Sequence, residues 1–159
     1  MRREFLILAV AVVTGCATPT HTLRFHEEVP GNLPASRVRH VLLPQTGQRL
    51  AINPYPSISE RDVDAAHLKV TNAGTAVWIR FDMHGAVELS EMTTRLRGQS
   101  FVVLVDEKPV AAVLVERAIQ NGQFLLLGDL TDAAAKELVE SLNKLAGRPR
   151  DGGDTRLTP

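Results

Sequence analysis

Phe101-Val102-Val103-Leu104-Val105, then Asp106-Glu107-Lys108-Pro109, then Val110-Ala111-Ala112-Val113-Leu114-Val115 is the stretch that decides the fold. Two apolar runs rich in valine flank a short polar turn, which reads as a β-hairpin. The first run has few polar alternations, so it predicts a central strand. Upstream, residues 75–82 alternate: Val77, Ile79 and Phe81 point one way, Trp78 and Arg80 the other. That is the period of a half-buried strand. Asp82 can cap a helix running to about residue 97. Ala86, Leu89, Met92 or Thr93, and Leu96 share one face of it, and Gly98 closes it. Downstream, Asn121-Gly122 marks a turn before a strand over residues 124–127. Thr131 then caps a last helix, with Asp132 favourably placed in its first turn. Its buried stripe is Ala135, Leu138, Val139, Leu142, Leu145 and Ala146, and Gly147 and Pro149 stop it.

The order strand, helix, hairpin, strand, helix predicts an α+β domain, a mostly antiparallel sheet with two main helices packed on one face. Each large apolar side chain buried there stabilises by about 1.5–3 kcal/mol, which explains a fold without any ligand. Ahead of this core, residues 38–43 and 49–52 predict two strands about a turn at Thr46-Gly47, ended by Pro54 and Pro56. Ser59 and Asp62 have the spacing of a capping box, so a short helix to about Ala66 is expected. Pro19, Pro30, Gly31, Asn32 and Pro34 make residues 16–36 a flexible tether. Residues 148–159 have Leu157 as their one large apolar residue and predict a disordered tail. The folded unit is thus expected over residues 37–147.

The N-terminus carries a second message. Arg2 and Arg3 precede an apolar run over residues 5–13, and small residues lead to Cys16, the single cysteine. This is the layout of a secretory signal over residues 1–15. The run is about half of the roughly 20 residues a spanning helix needs. Val13-Thr14-Gly15-Cys16 resembles the lipobox of bacterial lipoproteins. The resemblance implies cleavage between Gly15 and Cys16 and diacylation of Cys16, a membrane anchor rather than a span. Ala17 then favours outer-membrane sorting where the host has an outer membrane. An acylated Cys16 leaves no thiol for a disulfide or a nucleophile. Losing Arg2, Arg3 and Glu4 leaves one net negative charge, which gives no support to nucleic-acid binding.

Several words of the core resemble a known family. They are the segment 101–112 quoted above, then Ala118-Ile119-Gln120-Asn121-Gly122-Gln123, then Gly128-Asp129-Leu130-Thr131-Asp132 and the helix start after it. Together they resemble the head subdomain of the first periplasmic domain of SecD and SecDF. Residues 58–66 resemble that family's opening helix, and residues 77–98 its strand, helix and closing glycine. The likeness covers residues 58–147 and implies a ferredoxin-like head that meets translocating polypeptide. The chain departs from the family in lacking an apolar run of spanning length after Cys16, so proton-driven translocation is not expected of it. Ala111-Ala112-Val113 also stands where the family often has Ser-Ala-Pro.

Catalytic chemistry finds little support. His21 and His26 with Glu27 and Glu28 match no metal-ligand spacing, His84 reads as solvated and His67 as a helix-end residue. Ser36, Ser57, Ser59, Ser90, Ser100 and Ser141 lack a Gly-x-Ser-x-Gly setting. Glu88 and Glu91 share a helix face, where Glu91 and Arg95 form a surface pair. Trp78 and Arg80 are the candidate binding surface, since exposed Trp and Arg are typical hot spots. The alternative is that the N-terminal segment or Pro54-Tyr55-Pro56 covers Trp78. The reading is a lipid-anchored, non-enzymatic binding or accessory module in the cell envelope, facing the periplasm or the outer surface. Its partners are the membrane, through Cys16, and a protein or peptide. No cofactor, metal or nucleic acid is expected. Two other classes stay open. One is an immunity-type inhibitor of a toxin in the same compartment. The other is a hydrolase, which predicts a deep pocket with perturbed titratable groups.

Overall fold

The computed structural model describes residues 21–147. The signal, Cys16 and the tail lie outside the described residues. In chain order the strands are β1 (Leu23–Glu27), β2 (Arg39–Leu42), β3 (Arg49–Ile52), β4 (Ile58–Ser59), β5 (Val63–Thr71), β6 (Gly74–Phe81), β7 (Ser100–Val105), β8 (Lys108–Leu114) and β9 (Gln123–Leu126). Helix α1 (Met83–Arg95) follows β6, and α2 (Asp132–Ala146) follows β9. The architecture is α+β with antiparallel pairing throughout, in ladders β4-β1-β7-β8, β5-β6-β9 and β2-β3.

The valine-rich run is β7, and all of residues 101–105 are buried. Its two faces serve two cores. Phe101, Val103 and Val105 join the main core with α1 and α2, while Val102 and Leu104 pack under the β2–β3 hairpin beside Val41, Leu43, Leu50 and Ile52. Asp106 and Glu107 turn the chain into β8 with φ of 50° and 65°. Paired left-handed residues match the twist of the flanking strands.

The tether expectation fails within residues 21–36. Leu23–Glu27 is a strand paired along its length with β7, and Leu23 and Phe25 are fully buried. Phe25 is the hub of an aromatic cluster, with ring centroids 5.6 Å from Phe81, 5.7 Å from Phe101 and 5.3 Å from Phe124. The alternation Leu23, Phe25 in and Arg24 half out was present, but the flanking prolines and glycine masked it.

The helix expected from Ser59 to Ala66 is also overturned. The capping box forms, with the Asp62 carboxylate accepting from Ser59 N at 2.8 Å, but it closes only a 3-10 turn. From Val63 the chain is β5, which pairs with β6 through a bulge between Val63 and Ala65 and then keeps register down to Thr71 and Gly74. Tertiary pairing overrides the local start signal. Elsewhere the signals hold. Asp82 caps α1 by accepting from Gly85 N at 2.8 Å, and Thr131 caps α2. Met92 and Thr93 are both buried, and the Thr93 hydroxyl accepts from Ile119 N at 2.9 Å, tying α1 to the loop before β9. Gly85 is required by contact: a Cβ there would sit 2.8 Å from that of Asp62.

Candidate binding face

Alternation along β6 sends Val77, Ile79 and Phe81 into the core and leaves Trp78 half-buried and Arg80 exposed on the other face. Trp78 lies opposite His67 on β5 and Leu125 on β9. The imidazole of His67 stacks on the indole at 5.4 Å with 21° between planes. Lys69 Nζ stands 5.7 Å from the ring centroid, a cation–π distance. Leu125 and Leu127 are exposed. A row of His67, Trp78 and Leu125 therefore crosses three strands, with Lys69 at its side. Arg80 is not a free cation: Nη2 and Nε lie 2.6 and 2.7 Å from Asp64 Oδ2. Exposed pairs of this kind add little stability, so its effect is to hold the guanidinium beside the row. Sequence reading missed His67 and Lys69, because the β5 span was read as a helix and the loop after it.

The other weighed residues serve the fold. His21 Nδ1 donates to Asp106 Oδ2 at 2.7 Å, and the Asp106 carboxylate also accepts from Thr22 N at 2.9 Å. Partial burial opposes ionisation of Asp106, but these two bonds outweigh it and its pKa is lowered. Glu107 is lowered chiefly by its bond from Arg39 at 2.5 Å, with Arg24 at 2.6 Å adding to it. His26 is buried on the opposite side of β1 from Phe25, with Nδ1 donating to the Asn53 carbonyl at 2.8 Å. Arg95 pairs with Glu27 of β1 rather than with Glu91.

Ser141 lies beside His21, whose ring is bonded to Asp106, and its geometry bears on the hydrolase alternative. The serine hydroxyl accepts from the His21 backbone N–H at 3.1 Å. The ring directs Nε2 at Glu137, 3.7 Å away, so no base is aimed at the hydroxyl. The hollow lined by His21, Glu137, Glu140, Ser141 and Lys144 is open to solvent and about 420 Å³.

Asp62, Asp82 and His84 form a group that sequence spacing did not single out, with ligand atoms all within 4.8 Å. His84 Nδ1 donates to Asp62 Oδ1 at 3.0 Å. Both carboxylates already cap: Asp62 the 3-10 turn and Asp82 the helix α1. The cluster is explained as the clasp between these two starts.

An antiparallel α+β head with two covering helices and one open three-stranded face is the class that these elements define. Residues 36–146 match the family model of the SecDF P1 head subdomain, and the chain belongs to that family. Two solved structures share the fold. SecDF in its super-membrane-facing form superposes with a TM-score of 0.59 at 19% identity, covering 77% of this chain and 18% of that one. A structure of the membrane component SecDF that enhances protein export gives 0.60 at 18% identity, covering 77% of this chain and 61% of that one. This chain thus spans less than two thirds of either SecDF chain. No curated protein sequence matches it. Among the described residues no helix is long and apolar enough to cross a membrane. Strand β1 precedes the matched span, although it lies between β4 and β7 in the sheet.

Proposed function

We propose that this protein is a lipid-anchored head module of the cell envelope that engages protein or peptide beside the membrane, without catalysis, as an accessory to export. Family membership supports an export-linked role, since the related SecDF enhances protein export. The observation that carries the binding role is the row of His67, half-buried Trp78 and Leu125 on the sheet face away from the helices. Aromatic surface flanked by a held guanidinium suits contact with polypeptide. Cys16 supplies the anchor, and diacylation gives the two chains that stable membrane attachment requires. The anchor places the module on the periplasmic side or the outer surface, with the outer membrane favoured by Ala17.

The test is crosslinking in intact cells followed by pull-down, with wild type, Trp78→Ala and Cys16→Ser. Trp78→Ala is expected to lose captured polypeptide while it remains folded, with the far-UV circular dichroism of wild type. Cys16→Ser is expected to leave the membrane fraction. Undiminished capture by Trp78→Ala would remove the open face as the site.

A further inference from the structure

Strand β5 is an edge strand of its ladder. At one point on that edge a peptide-like group is already bound. The Asn143 carboxamide of α2 donates to the Ala66 carbonyl at 2.8 Å and accepts from Ala66 N at 2.8 Å. Ala66 therefore turns its backbone away from β6. By the alternation of an antiparallel ladder, Leu68 and Val70 do the same. Neither has a backbone partner among the described residues. Leu68 is 42% exposed and Val70 90%, so two apolar side chains flank four open backbone groups. Natural edges are normally blunted by charge, proline or cover. Here Asn143 blunts one rung, and the next two are guarded only by Lys69, whose ammonium lies over the Trp78 ring.

We propose that residues 68–70 of β5 take up an extended polypeptide segment as an added strand, apolar beside Leu68 and Val70 and carrying a carboxylate opposite Lys69. The inference rests on the polypeptide-binding reading above and gives it a docking mode. Charge selects this occupant. Lys69 has no carboxylate within ion-pair distance among the described residues, and its side chain lies on the Trp78 face. A second copy pairing about a two-fold axis, so as to use all four open groups, would set Lys69 against its own equivalent. Like charges directly opposite across a ladder are unfavourable. An acidic residue in a foreign strand completes the same position. The added strand would also border the His67–Trp78 row, making one continuous surface.

The probe is a fluorescent nine-residue peptide with a central valine-glutamate-valine, titrated into the full chain. Val70→Pro removes an outward N–H while the β5–β6 ladder keeps its own bonds, and should weaken binding about fivefold or more, the worth of a hydrogen bond and its neighbours. Lys69→Glu should reverse the preference toward a peptide with central lysine. Should Val70→Pro unfold, Val70→Asp keeps the backbone but replaces the apolar flank with a charge that repels the acidic peptide, and should weaken binding likewise. Equal affinity of wild type and both Val70 variants, with loss on Trp78→Ala, overturns edge docking and leaves the open-face reading standing. No saturable binding by wild type overturns the peptide as occupant. A concentration-dependent dimer lost on Val70→Pro overturns it in favour of a second copy.

Discussion

His26 shows how one side chain couples this fold to pH. The Asn53 carbonyl can only accept, so Nδ1 carries the ring proton, and Nε2 is buried with no hydrogen-bond partner. Burial is the main force lowering its pKa from 6.5. The Arg39 and Arg24 guanidiniums push the same way, against the Asn53 bond and the Glu107 carboxylate. The unfolded chain thus takes up this proton at a higher pH than the folded one. Stability from a neutral His26 is present above about pH 6.5 and falls as pH drops below it, levelling once the folded ring is protonated. Urea unfolding midpoints between pH 7.5 and 5.5 should therefore drop more in wild type than in His26→Gln. Equal slopes would show that His26 does not titrate differently on folding. His26 was weighed in the sequence as a metal ligand in a linker. Its burial beneath β2–β3 depends on strand pairing that no local pattern announces.

At the scale of elements, β1 is the part that the local sequence concealed. Proline and glycine on both sides made residues 16–36 look like linker, yet five of them fill the gap between β4 and β7. The aromatic cluster about Phe25 gives this a measurable size. Phe25→Ala should destabilise by about 3–5 kcal/mol, as for other buried aromatic truncations, read by chemical denaturation. A loss within the range of a surface change, about 0.5 kcal/mol, would mean that β1 is not integral. Strand β5 makes the complementary point. Its start signal was read correctly as a capping box, but Val63, Val70 and Thr71 favour a strand, and the ladder with β6 decides the outcome. The α1 and α2 stripes were legible because a helix signals its buried face locally, at three- and four-residue steps.

For the whole molecule, the early start of β1 limits the leash that the proposed anchor would have. With Cys16 as the anchor, six residues separate it from Leu23, a reach of roughly 20 Å at full extension. A tether running to residue 36 would have allowed more than three times that. On the proposed anchor at Cys16, this length would hold the module near the bilayer, where the effective concentration of membrane-proximal partners is high. Inserting about 15 Gly/Ser residues between Cys16 and His21 should leave the unfolding transition in place and lower crosslinking to membrane-proximal polypeptide. Unchanged crosslinking would show that anchoring distance does not matter.

The sequence by itself determined the α+β class, both amphipathic helices with their caps, the central valine strand and its hairpin, and the outward direction of Trp78 and Arg80. These rest on periodicity and capping, which are local, and the family likeness was legible in the same stretch. Tertiary structure alone decided that residues 23–27 complete the sheet and that residues 63–71 form an edge strand. It also decided that His67 and Lys69 frame Trp78, and that Arg95 reaches Glu27. Each depends on which strand lies beside which. That choice is made by long-range backbone pairing and by apolar area shared between segments far apart in the chain.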